Sequence, residues 1–364
     1  MEGPRAPLET ELPHVVRFLD QNLRPKGDWS ITSEYPLAFS EANRNNIRII
    51  TDNDEVLSHA VVRPMIVKTP AGLFKIAGLG SVVTSSQHRN LGLSTQIIES
   101  CLHASKAHGC DFAILWTNIY DFYRKLGFEL AGSENSVLLD RDITGGEANL
   151  KIMEGNKVAA DAIHRLFAQH TVSTLRTVNE TREYLQIPNS RVYTAWDPTG
   201  TLKAYAIEGK GADLDGYVHE WGGGVQALIS LFAHIRKVQN RPITIIVPRH
   251  SQNLIRALTE RGLRFTQGFL GMIKLLNTPN LFSKIKRHAR AVGVPDLVLE
   301  QQGDKYYIGA GENVFSTDSE RDLVRLIFGP QKAREIHPGF GEETAAIMEQ
   351  VLPIQMWLWG WDSI

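Results

Sequence analysis

The chain states one order of elements twice, and this repetition limits its fold more than any other feature. In the first statement, "NIRIITDNDEVLSHAVVRPMIVKTPAGLFKIAGLGSVVT" alternates apolar and polar residues between the turn segments "DND" and "TPAG", and so reads as an antiparallel meander. After Gly92 the residues Leu93, Ile97, Ile98, Cys101 and Leu102 share a helical face; "DFAILWT" follows as a buried strand, and "IYDFYRKLGFELAG" as a short helix closed by Gly127 and a last strand. The second statement has a hairpin turned at "DPTG", the strand "GYVHEW", the helix "VQALISLFAHIRKV", the strand "PITIIVP" and a helix ending at Gly262. An amphipathic helix carrying Leu12, Val15, Val16 and Leu19, with Thr10 as its cap, precedes the first copy.

A third region contains the basic helix "NLFSKIKRHARAVG", a strand pair around "KYYIGAGENVF", the helix "SERDLVRLIFG" and the tail "LPIQMWLWGWDSI". A strand in that tail would turn Trp357, Trp359 and Trp361 to one face, and rings of that size call for burial inside the protein. The expected fold class is α+β: two tandem mixed-sheet domains over 1–148 and 149–277, the second degenerate, and a small α+β domain over 278–364.

Chemistry separates the two copies. At the junction "SVVTSSQHRNLGLSTQ" a strand hands over to a helix, whose first N–H groups lack intrahelical partners and attract anions. Gly92 would let an anion approach the backbone, Arg89 would add a charge-assisted hydrogen bond and Ser94 a hydroxyl. The second copy reads "HEWGGG" with no Arg, which favours packing, and carries Leu258 four positions before its closing Gly where the first carries Tyr123. By itself a Tyr in "YDFYRKLGF" is a packing aromatic.

The formal net charge of −1 excludes the broad basic field of a nucleic-acid or membrane-surface binder, and "KIKRHAR" reads as one solvated helix face. Cys101 and Cys110 have neither metal-ligand nor redox spacing, so they read as space-filling thiols in a reducing compartment, and no metal site is expected. With no signal-peptide pattern and no long apolar run, the chain is expected to be soluble and cytoplasmic, with no membrane insertion.

The spacing of "RNLGLS", the amphipathic helix, "FAILWTN" and "FYRKLGFE" resembles the acetyl-CoA-binding core of the GNAT superfamily of N-acetyltransferases. The resemblance implies that Arg89, Asn90, Leu91, Gly92, Leu93 and Ser94 hold the pyrophosphate of acetyl-CoA. It implies that Val82, Val83 and Thr84 offer strand amides and carbonyls to the pantetheine arm, that Asn118 meets its end, and that Tyr123 is the acid facing the sulfur. Tyr120 is the competing phenol, with a spacing to Gly127 that fits less well. Ser94 departs from the Gly or Ala of the family motif.

The three-region order is similar to that of the enhanced intracellular survival (Eis) acetyltransferases, in which a sterol-carrier-like domain ends the chain and the terminal carboxylate reaches the first active site as base; here that residue is Ile364. Burial among Trp357, Trp359 and Trp361 would raise its basicity. Glu34, Trp361 and Asp362 are candidate substrate contacts, and Glu34 or Asp362 would serve as an alternative base. The expected activity is acetyl transfer to a primary amine of a small cationic molecule by direct attack, with self-association implied by the resemblance. Two alternatives remain: a non-catalytic, CoA-regulated binder of a lipid or apolar ligand, and an acyltransferase acting on protein amines.

Overall fold

A computed structural model describes all 364 residues. In the first segment, β1 (Glu2–Arg5) precedes α1 (Leu12–Leu23), which buries Val15 and Leu19. Thr10 is not its cap; it lies inside a 3-10 turn, Glu9–Glu11, where the Glu11 carboxylate accepts from the Leu8 amide at 2.6 Å. The short α2 (Ile31–Glu34) leads to the meander β2 (Ile47–Asp52), β3 (Glu55–Thr69) and β4 (Gly72–Thr84). Then come α3 (Leu93–Ala107), β5 (Phe112–Leu115), α4 (Tyr120–Lys125), β6 (Glu129–Ala131) and β7 (Glu134–Leu139).

The second segment holds β8 (Lys151–Glu154), α5 (Ala160–Phe167), β9 (Ser173–Thr174) and α6 (Val178–Tyr184), the last capped reciprocally by Thr177 and Glu180. Its repeat consists of β10 (Arg191–Trp196), β11 (Leu202–Lys210), β12 (Asp213–Gly223), α7 (Val225–Gln239), β13 (Ile243–Pro248), α8 (Gln252–Thr259), β14 (Phe265–Gly268) and β15 (Gly271–Leu275). The third segment has α9 (Thr278–Ala291), the antiparallel strands β16 (Leu297–Gln302), β17 (Lys305–Ala310) and β18 (Asn313–Thr317), and α10 (Glu320–Phe328), α11 (Ala333–Ile336) and α12 (Glu342–Met348).

The sheets do not follow the divisions at 148 and 277. The first has the order β1-β2-β3-β4-β5-β15-β6, and the second β14-β7-β13-β12-β11-β10-β8. The two copies have therefore exchanged a strand: β15 lies between β5 and β6, while β7 lies between β13 and β14. One apolar core runs through all three segments, joining Phe74 and Phe112 of the first to Ile245 of the second and Phe328 of the third.

The tail is buried, but not as a strand. Residues after Leu352 are irregular apart from a 3-10 turn at Gly360–Asp362, and Trp357, Trp359 and Trp361 are 1%, 0% and 1% exposed. The rings are covered by partners on several elements rather than by one sheet face: Trp359 packs on His170 and Trp221, and Trp361 stacks on Tyr184.

Candidate functional site: a splayed strand pair beside a helix amino terminus

Parallel pairing of β4 with β5 covers only Ile76 to Gly78, whereas β4 runs on to Thr84. Beyond Gly78 the two strands part, and no strand pairs with β4 on that side. Within the parted stretch β4 is bulged: Ser81 and Val82 together stand opposite Ala60, and Ser81 has a φ of 49°. A bulge changes which way the following groups point. Leu79 and Val82 pack toward α3 with Leu93, Ile97 and Tyr123, while Val83 packs toward α1 with Val15 and Leu19. His59 on β3 braces the bulge, its Nδ1 donating to the Ser81 carbonyl at 2.8 Å; burial lowers its pKa to about 4, so the imidazole is neutral.

Residues 85–92 connect β4 to α3. Gly92, the residue before the helix, has a φ of 76°, a left-handed conformation that L side chains rarely adopt, and no side chain caps the helix amides. Arg89 is exposed and makes no hydrogen bond or ion pair within the protein. Ser94 has a local task as well: its hydroxyl lies 2.7 Å from that of Thr84, which lies 2.8 Å from that of Ser58, so a hydroxyl chain ties the helix start to the strand end. This explains a hydroxyl where Gly or Ala stands in the family motif.

A cavity of about 560 Å³ occupies the splay, lined by Val82, Val83, Thr84, Arg89, Asn90, Gly92, Leu93, Ser94 and Tyr123. Asn22 and Leu23 of α1, His88, Thr95, Ile119 and Phe122 line it too. Sequence reasoning missed these; only His88 and Thr95 lie next to the motif. Tyr123 is 6% exposed, held edge-on by Phe122 and Phe128, and burial pushes its pKa up to about 12. Its competitor Tyr120 is 40% exposed and outside the lining. Asn118 and Leu91, both exposed, are not among the lining residues.

On the opposite face of β4 the tail arrives. A Cβ at Gly80 would lie 2.6 Å from the carboxyl carbon of Ile364, and one at Gly78 would lie 3.0 Å from its Cγ2. These glycines thus serve close approach, and the alternating glycines of "GLGSVV" are its only local signal. Contrary to expectation, the Ile364 carboxyl lies over Gly80 and not among the tryptophans.

The other proposed substrate contacts are corrected by their partners. Asp362 is fully buried, accepting from Thr174 Oγ1 at 2.6 Å, Arg176, Arg63 at 3.3 Å and Tyr184 at 3.1 Å; burial pushes its pKa up, but the two guanidiniums outweigh this and hold it low. Glu34 is 0% exposed, and its oxygens are taken by Arg24, Trp29 Nε1 and the Ala212 amide. Trp361 is core, donating from Nε1 to Ser190 at 3.1 Å. None of the three is free to meet a substrate.

The second copy is built alike and closed. β12 pairs with β13 only at Tyr217 and Val218 and continues to Gly223, but Gly224 alone separates it from α7. Trp221 bridges the parting by donating from Nε1 to the Ile246 carbonyl at 3.0 Å, and Trp359 packs edge-on against it. Leu258 is fully buried. Both cysteines are buried free thiols, their pKa values raised by burial to about 12 and about 11. No helix is long and apolar enough to cross a membrane.

Residues 18–131 match the sequence profile described as the acetyltransferase (GNAT) domain. No curated protein matches the chain. Among solved structures, the GCN5-related N-acetyltransferase of Anabaena variabilis superposes with a TM-score of 0.67 at 15% identity, covering 97% of this chain and 98% of that one. The GCN5-related N-acetyltransferase of Kribbella flavida gives 0.63 at 15%, with 97% of each chain covered, and Eis1 of Mycobacterium abscessus 0.58 at 11%, with 96% of each. At such identities the likeness is one of fold. Residues 18–131 thus match a GNAT acetyltransferase domain, and the chain as a whole shares the fold of these three proteins.

Proposed function

We propose that the chain acetylates a primary amine of a small cationic molecule at the β4–β5 splay. The observation that carries this reading is the coincidence, in one cavity, of an unpaired Arg89, the uncapped start of α3 and the Tyr123 phenol. The pyrophosphate of acetyl-CoA lies against Arg89, Asn90 and the amides following Gly92, where partial positive charge is fixed by the backbone. Its pantetheine arm enters the splay along Val82 to Thr84.

The amine arrives from the face of β4 that carries Ile364. An alkylammonium near pKa 10 must lose a proton before it attacks, and the Ile364 carboxylate over Gly80 takes it, directly or through water. The nitrogen lone pair adds to the thioester carbonyl, and backbone N–H groups of the bulged strand stabilise the oxyanion. Collapse breaks the C–S bond and the thiolate takes the Tyr123 proton; the proton still carried by the attacking nitrogen passes through solvent to the tyrosinate, and the carboxyl of Ile364 releases its own proton to solvent. A phenol with a pKa near 12 stays protonated at neutral pH, as an acid must.

CoA release measured against a panel of polyamines and aminoglycoside-like amines tests the reading. Turnover lost in Tyr123→Phe with acetyl-CoA binding retained supports it; unchanged turnover removes the acid. Full activity in a chain extended beyond Ile364, folding verified, removes the terminal base.

A further inference from the structure

The filled second copy cannot hold acetyl-CoA, yet it contains the most heavily charged interior in the molecule. Arg176 is 8% exposed and pairs through Nη1 and Nη2 with both oxygens of the fully buried Glu220, at 2.7 and 2.8 Å. Its Nη2 also donates to Asp362 at 2.6 Å. Lys210, the last residue of β11, is 1% exposed, and its ammonium lies 2.6 Å from the Ser363 carbonyl, 3.0 Å from that of Gly360 and 3.3 Å from that of Trp361. The Ser363 hydroxyl lies 3.2 Å away as well, so that the three N–H groups of the ammonium face four oxygens of the tail.

Burying ions without solvent costs several kcal/mol apiece, and apolar residues of equal volume would hold a core as well. The cluster therefore needs a reason other than stability, and its geometry supplies one. Every hydrogen bond of the Lys210 ammonium and three of those of Arg176 end on residues 360–363. The segment has little support of its own, since its internal backbone bonds are Asp362 N to Trp359 O at 2.8 Å and Ser363 N to Gly360 O at 3.3 Å. From the first copy, Arg63 on β3, paired in register with Gly78, reaches Asp362 as well. Beyond Ser363 the chain lies on Gly80, at the level where β4 has parted from β5.

We infer that the second copy is a clamp: Lys210 and Arg176 are positioning residues that hold residues 360–364 against β4, so that the tail forms the amine-side wall of the first copy's cleft. The inference rests on placing the reaction at the β4–β5 splay, but not on which group of the tail takes the proton. It assigns the degenerate copy a part in catalysis without any ligand of its own.

The test is Lys210→Met in the full chain, which keeps the side-chain volume and removes the three donors. The expected result is faster hydrogen exchange confined to residues 360–364, unchanged acetyl-CoA affinity by calorimetry, and a kcat lower by about a hundredfold, the cost of a misplacement near 1 Å. A purely structural role would lower thermal stability and leave kcat, measured well below the transition, as it was. Gly80→Ala, which leaves the clamp intact and pushes the tail away at its other end, is to give the same kinetic signature; it carries the test should Lys210→Met fail to fold. Unchanged kcat in a folded variant whose tail exchanges faster overturns the clamp. If instead Arg89→Ala leaves acetyl-CoA affinity unchanged, the splay is not the cofactor site, and the underlying assignment fails first.

Discussion

The two copies share one topology and differ in what occupies the parting of their central strands. In the first, residues 85–92 hold Arg89 and the left-handed Gly92 at a lip that opens onto Tyr123; in the second, that connection has shrunk to Gly224, Trp221 fills the gap, and Leu258 stands where a phenol would be. Both copies keep the fold, and only the first carries the groups proposed for chemistry. Retention has a physical cause, because each copy supplies a strand to the other's sheet, and neither sheet is complete alone. The same comparison explains where charge sits. The open cleft leaves its cation unpaired at the surface, whereas the closed copy buries Arg176, Glu220 and Lys210 around the tail.

The comparison breaks most visibly at the phenol. Tyr123→Phe is expected to lower kcat by about 10² to 10⁴, the usual worth of a general acid, with an unchanged melting temperature; a steady-state assay beside a thermal scan decides it. Arg176→Ala, in the closed copy, is expected to cost stability as well as kcat, because the same guanidinium holds the tail. It leaves Glu220 and Asp362 buried without their guanidinium, a loss of about 3–5 kcal/mol to be read in denaturant titrations.

Arg89→Ala removes a charge-assisted contact worth about 1.5–3 kcal/mol, so the KM for acetyl-CoA is expected to rise by roughly ten- to a hundredfold without loss of stability. The effect should shrink in high salt, because Arg89 is exposed.

The smallest effect per group comes from buried imidazoles. Burial lowers the pKa of His59 and His170 to about 4 and that of His219 to about 3. An unfolded histidine titrates near 6.5, so below that pH the unfolded chain takes up protons that the native chain refuses. Their contribution is complete above pH 6.5 and is lost as pH falls through the native values. At pH 5 this amounts to on the order of 2 kcal/mol for each imidazole. Two of the three, His170 and His219, belong to the closed copy. Denaturant midpoints at pH 7 and 5 are expected to fall in the wild type and to fall less in His170→Gln.

Much of the cleft was legible because its parts are short-range. The strand, the turn with Gly92, the helix face of Leu93 and Ile97, and the Tyr123-to-Gly127 spacing are each fixed within a few residues of chain. Asn22 and Leu23 were not, since they belong to α1 and meet the cleft only through packing. The acidic candidates failed for a related reason. Glu34 and Asp362 read as free carboxylates until Arg24 and Arg176 are seen beside them, and Arg176 lies 186 residues from Asp362.

The sequence by itself determined the order of elements, the doubling, the glycine turn before α3 and the difference between Tyr123 and Leu258, because periodicity, turn chemistry and glycine conformation act locally. Only the tertiary structure decided that β7 and β15 change places, that the tryptophan tail is irregular, and that it ends on Gly80. Those outcomes depend on which apolar faces and which buried charges meet across long stretches of chain, and no local pattern specifies that partner.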